Sequence, residues 1–99
     1  MYLFIDDERN LNNLTGYVVL RSSDEAINYI RQNGWPTFMS LDHDLGGEDT
    51  VMVFLKRLVN EIWDGVMPVP GYIVHSANPE GAKNIVSYMD SWKKSTLMP

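Results

Sequence analysis

The chain has 99 residues, 44% of them hydrophobic, with three Trp, five Tyr and three Phe, which suffices for one domain with its own core. It has no cysteine, so disulfides and thiolate–metal sites are excluded, and no stretch approaches the roughly 20 apolar residues of a membrane span. A net charge of −5, with no Lys/Arg run longer than a pair, argues against an extended nucleic-acid surface and leaves room for one nucleotide or RNA end at a focused site.

Tyr2-Leu3-Phe4-Ile5 is a continuous apolar run ending in Asp6-Asp7, the pattern of a strand in a parallel sheet. Residues 8–16 are polar and Asn-rich and read as a loop, and Tyr17–Leu20 as a second strand. Ser22 and Glu25 have capping-box spacing, Ala26, Ile27 and Ile30 make an apolar stripe, and Asn33-Gly34 ends that helix. Thr37–Leu41 is a third strand, ending in Asp42-His43-Asp44. The longest helix is expected from about Thr50 to Asp64, capped by Asp49 or Thr50 and closed by Gly65. Its stripe is Val51, Leu55, Leu58 and Ile62, widened by Met52, Val59 and Trp63. A Pro-rich connector over 67–70 leads to a fourth strand, Tyr72–Val74, ending in His75-Ser76. Asn78 as cap and Pro79 at the first position start a last helix, with Ala82, Ile85, Met89 and Trp92 facing inward and a frayed tail from about 94 to 99.

Strands alternating with helices imply an α/β fold with about four parallel strands and helices packed on its faces, in three layers, as a single domain over 1–99. Open parallel sheets bind ligands outside the carboxyl ends of their strands. Three of the four strand ends here carry polar clusters, and they hold both histidines of the chain. Carboxylates from adjacent strand ends repel, and a divalent cation relieves that repulsion. Asp6, Asp7 and Asp42 are the natural ligand set for Mg²⁺ or Mn²⁺; each acid singly is as readily a solvated loop residue or a cap. His75, Ser76 and the helix start at Asn78 form a candidate phosphate site, although Asn78 and Ser76 also serve as plain caps. An adjacent carboxylate favours His43 as a general acid, against the alternative of a polar core residue. Arg9 has the chemistry to clamp a phosphate, with a salt bridge to Glu8 or Asp7 as the blander and better-supported role. Gly46-Gly47 reads as a turn.

Asp6-Asp7, Asp42 and Ser76-Ala77, with Ser23-Asp24-Glu25-Ala26-Ile27, resemble a receiver domain of two-component signalling, and so a shortened flavodoxin-like fold. The closer resemblance is to a receiver-like family proposed to process cyclic phosphates. It rests on Asp6-Asp7-Glu8-Arg9, Ser40-Leu41-Asp42-His43-Asp44-Leu45-Gly46 and His75-Ser76-Ala77-Asn78-Pro79, and spans Tyr2 to about Tyr88. Departures from the receiver pattern are a loop in place of the first crossover helix and no counterpart of the lysine on its fifth strand, which speaks against aspartyl-phosphate signalling through Asp42. Asn10 follows Arg9 where the cyclic-phosphate family often has proline.

The resemblance implies a phosphoesterase acting on a cyclic phosphate of a nucleotide or RNA end. Asp6, Asp7 and Asp42 would hold metal or orient water, His43 and His75 would serve as general base and acid, and Arg9, Ser76 and Asn78 would bind phosphoryl oxygens. Two alternatives stand beside it. One is a non-catalytic binder of the same ligands, of the kind a small bacterial or viral protein provides. The other is a degenerate receiver acting as an interaction module through an exposed patch of Met52, Val59, Trp63 or Trp92. With no leader recognisable at the N-terminus, a cytoplasmic location is expected.

Overall fold

The computed structural model describes residues 1–8 and 16–96. Four strands form one sheet, β1 (Tyr2–Ile5), β2 (Tyr17–Leu20), β3 (Phe38–Leu41) and β4 (Gly71–Val74), in the order β2-β1-β3-β4. All neighbouring pairs are parallel. The helices are α1 (Ser23–Asn33), α2 (Val51–Arg57), continued by a π-helical turn over Leu58–Ile62, and α3 (Pro79–Thr96). This is the shortened α/β receiver-like architecture read from the sequence.

The layering differs from expectation. Leu3, Ile5, Leu20, Met39 and Leu41 point to one face, and they share a single cluster with Ala26, Ile27, Ile30, Val51, Phe54, Leu55, Leu58, Ile85, Met89 and Trp92 of the helices. All described helices therefore pack on that face, giving two layers among the described residues where three were expected. For the two connecting helices the cause is crossover handedness. From β2 to β3 and from β3 to β4 the chain moves the same way across the sheet, so right-handed crossovers put both connecting helices on one side. Only β1 to β2 runs the other way, and residues 9–15 of that connection lie outside the described residues.

Local chemistry sets the element ends. The Ser22 hydroxyl accepts from the Glu25 backbone N–H at 3.1 Å, which caps α1. Gly34, at φ 108°, ends it with its N–H on the Ile30 carbonyl at 2.9 Å. Thr50 occupies the cap position of α2 without a side-chain capping bond. Asp49 instead reaches α1, accepting from the Ser23 backbone N–H at 2.8 Å and the Ser23 hydroxyl at 2.6 Å, and so ties two helix starts together.

Two helical expectations change. The last five residues of the second helix, Leu58–Ile62, take a π ladder, and the Trp63 N–H closes on the Leu58 carbonyl at 2.9 Å. Ile62 and Trp63 both pack against the core from this turn, and the Trp63 ring meets Trp92 edge-on with centroids 5.6 Å apart. The last helix continues through Thr96, past the point where fraying was expected; residues 97–99 lie outside the described residues. Its inward stripe is Gly81, Ile85, Met89 and Trp92, with Gly81 in the place assigned to Ala82, which is half-buried. No described helix is long and apolar enough to cross a membrane.

Candidate functional site

Strand register builds the site. Ile5 pairs with Leu41, and Leu41 with Val74. The ladder then runs one residue past the strands: the Asp6 N–H donates to the Leu20 carbonyl (3.1 Å), the Asp42 N–H to Ile5 (2.9 Å) and the His75 N–H to Leu41 (3.0 Å). Asp6, Asp42 and His75 thus form one row on a hydrogen-bonded backbone. Their place is the carboxyl edge where the chain reverses its direction across the sheet, the switch point at which such folds form a crevice.

Strand alternation turns this row toward the face opposite the helices. Phe4 and Ser40, two residues earlier on their strands, share that direction. His75 lies in their midst. Its Nε2 is 3.0 Å from Asp6 Oδ2, its Nδ1 is 2.8 Å from Ser40 Oγ, and its ring stacks on Phe4 with centroids 4.4 Å apart. Asp6 is 1% exposed. Its Oδ1 accepts from the Glu8 N–H at 2.9 Å, and its buried carboxylate is compensated by such bonds.

One ligand atom each from Asp6, Asp42 and His75 lies within 4.8 Å of the others. Burial raises the pKa of Asp42, with Asp6 and Asp7 adding to the rise and His75 opposing it. Asp7 stands on the outer side: a Cβ added to Gly46 would meet its Oδ2 at 3.3 Å. Beyond the row opens a depression lined by Asp7, Glu8, Asp42, Asp44, Gly46, Gly47 and Ala77. Four carboxylates there repel a phosphate, so an anion entering this depression requires a compensating cation.

The other expected site residues divide. His43 is not part of this row. Its ring sits against α3, where a Cβ on Gly81 would come within 2.4 Å of its Cγ, and its Nδ1 is 3.0 Å from Asp44 Oδ1. None of these contacts of His43 is shared with His75. Asn78 is used within the protein: its Oδ1 accepts from the Gly81 N–H at 3.1 Å, its carbonyl from the Ala82 N–H at 2.9 Å, and its Nδ2 donates to Asp44 at 3.4 Å. Most donors of the α3 start are thereby spent on capping. Ser76 Oγ accepts from the Asn78 N–H at 3.0 Å and keeps its own proton for another partner. Arg9 lies outside the described residues.

Of the residues expected to make an interaction patch, Trp92 is buried in the core, and Met52, Val59 and Trp63 are half-buried against it. Sequence reading missed Phe4 and Ser40 as the seat of His75 and Gly81 as the seat of His43. For the first pair a signal existed, because period two puts residues 4 and 6, and 40 and 42, on the same face.

Comparison with known proteins adds the family. The model of the cyclic-phosphate processing receiver domain matches residues 1–91. No curated protein matches the chain, and no solved structure does. With nearly its whole length matched, the chain belongs to the cyclic-phosphate processing receiver domain family.

Proposed function

We propose that this chain processes a cyclic phosphate of a nucleotide or RNA end at the carboxyl edge of its sheet, as a phosphoesterase assisted by Mg²⁺ or Mn²⁺. The observation that carries this reading is the row of Asp6, Asp42 and His75 at the switch point, with ligand atoms within 4.8 Å of one another. The donor set fits a small divalent cation. Hard carboxylate oxygens with one imidazole suit Mn²⁺ and tolerate Mg²⁺, and the separation of 3.0 Å between His75 Nε2 and Asp6 Oδ2 is near the spacing of adjacent ligands about an octahedral ion at ~2.1 Å.

Asp6, Asp42 and His75 would hold the ion, with Asp7 at the outer rim. When bound, the ion supplies Lewis acidity to the phosphoryl oxygens. Ser76 offers its hydroxyl proton to a phosphoryl oxygen. His75 would face the ion through Nε2 and is held through Nδ1 by Ser40. His43, seated against Gly81, braces the start of the helix that follows Ser76.

Phosphorus NMR with 2′,3′-cyclic nucleotides, with Mg²⁺ or Mn²⁺ and then with chelator, tests the reading. The expected result is conversion to a monoester that stops with chelator, and loss of turnover in a folded His75→Ala protein. An active His75→Ala variant would remove His75 from the mechanism.

A second reading, sequestration of the same ligand without cleavage, draws on one observation: both ring nitrogens of His75 and most donors of the α3 start already have protein partners. Broadened ligand signals with no monoester would select it.

A further inference from the structure

No described helix covers the second face of the sheet, although parallel sheets are ordinarily covered on both. The strand positions on that face, two per strand, include no charged residue, in a chain with a net charge of −5. Register sets Tyr2 between Tyr17 and Phe38, with ring centroids 5.7 Å and 5.6 Å away. The chain of rings continues from Tyr17 to Phe4 at 6.1 Å and from Phe4 to His75 at 4.4 Å. Its other end reaches over β4, where a Cβ added to Gly71 would meet Phe38 Cδ2 at 3.1 Å. Phe4 is 7% exposed and Tyr2 49%, and Tyr17 and Phe38 are half-buried. The rings are thus closed beside the candidate site and open further along the strands.

We propose that this open face is a stacking floor for RNA, with Tyr2 as the platform for the base that precedes the cyclic phosphate and Tyr17 and Phe38 flanking it. A 2′,3′-cyclic phosphate ends an RNA chain, so the preceding nucleotides must leave the site in some direction. Beyond the row lie Asp7, Glu8, Asp42 and Asp44, which repel any further phosphate that no cation compensates. The uncharged ring face does not. Unpaired bases stack on aromatic rings whatever their identity. From Asp6 back to Tyr2 is four residues of strand, about 13 Å. A mononucleotide has one ribose between phosphate and base and falls short of that distance; a base one nucleotide back reaches it. The favoured substrate class is therefore the 3′ end of a single-stranded RNA over a free cyclic mononucleotide. With no Lys or Arg on these strand positions, the floor holds a short segment and not a long strand. That preference rests on the cyclic-phosphate function proposed above.

The test compares adenosine 2′,3′-cyclic phosphate with a dinucleotide that ends in the same cyclic nucleotide, both with Mn²⁺. Phosphorus NMR gives the apparent affinity from the concentration dependence of turnover, or of line broadening where the ligand is bound and not cleaved. Stacking of one base corresponds to about 5–150-fold in affinity, so the dinucleotide should act at least about fivefold more tightly. Tyr2→Leu, which keeps an apolar side chain without the ring, should abolish that advantage and leave the mononucleotide response unchanged. Tyr2→Trp should keep it. The advantage should also hold as salt is added, because stacking releases no counterions from a phosphate.

Equal affinity for the two ligands in the unmodified protein overturns the stacking floor and leaves the cyclic-phosphate function standing. So does an advantage that survives Tyr2→Leu, or one that falls steeply with salt and is therefore carried by phosphate contacts. Sedimentation supplies a further readout: a dimer of the unmodified protein that Tyr2→Leu dissociates would mean that a second copy occupies the face, against the proposal. No response to either ligand overturns the cyclic-phosphate function and the floor with it.

Discussion

Asp42 carries the cost of the site at the scale of single residues. Burial, then Asp6, and more weakly Asp7, push its pKa above the ordinary 3.8, and His75 pulls it back. A carboxyl whose folded pKa lies above its unfolded value binds extra proton in the folded state. Stability therefore falls as pH rises from 3.8 through the raised value, and the penalty is full above it. Asp42→Asn should accordingly raise the melting temperature in chelator at neutral pH, and that gain should vanish when both proteins are melted below about pH 3.8. The same substitution removes a proposed cation ligand. Mn²⁺ should stabilise the unmodified protein by mass action and leave Asp42→Asn nearly unmoved, as thermal melts with and without the ion would record. A melting temperature lowered by Asp42→Asn in chelator would mean that the carboxylate stabilises the fold, against the direction given by its surroundings.

At the scale of elements, helix starts are fastened to other parts of the chain. Asp49 precedes α2 but caps α1 through Ser23. Asn78 caps α3 and also holds Asp44 of the loop after β3. Gly81 in the first turn of α3 has no side chain because His43 occupies the space: an added Cβ would meet His43 Cγ at 2.4 Å and Cβ at 2.7 Å. Overpacking of this kind costs about 1–3 kcal/mol, so Gly81→Ala should lower the melting temperature by roughly 4 °C or more. Adding His43→Ala to that variant should recover part of the loss, because it clears Cγ but leaves Cβ. Strict additivity of the two changes would show that the ring and the helix are not coupled.

For the whole molecule, the asymmetry of the sheet is the governing feature. One face carries Leu3, Ile5, Met39 and Leu41, all fully buried beneath the helices. The other presents Tyr2 at 49% and Ile73 at 51% exposure, with the Tyr2 ring in contact with those of Tyr17 and Phe38. The two faces should respond differently to truncation. Met39→Ala removes packing at a fully buried position and should cost about 2–5 kcal/mol, at least about 8 °C in a domain of this size. Ile73→Thr keeps the β-branch on an exposed edge strand and should stay within about 0.5 kcal/mol. Thermal melts of the two variants decide this; a large loss from Ile73→Thr would mean that its side chain is covered in solution.

The strands, their parallel order and most helix ends follow from local signals: continuous apolar runs, Ser22 and Gly34 about α1, and Asn78-Pro79 before α3. These depend on neighbours a few residues away, so the sequence alone determines them. So does the gathering of Asp6, Asp42 and His75 at one sheet edge, since each follows a strand that must lie parallel to the others. The partners of each side chain depend on register and crossover direction, and those are decided only when the sheet assembles. Register put Ser40 and Phe4 around His75. Packing of α3 drew His43 away from that row and against Gly81, leaving Asn78 to cap a helix. Crossover handedness placed the two connecting helices on one face, and α3 packs on the same face. Chain-local chemistry thus located the site, and long-range packing decided which residues compose it.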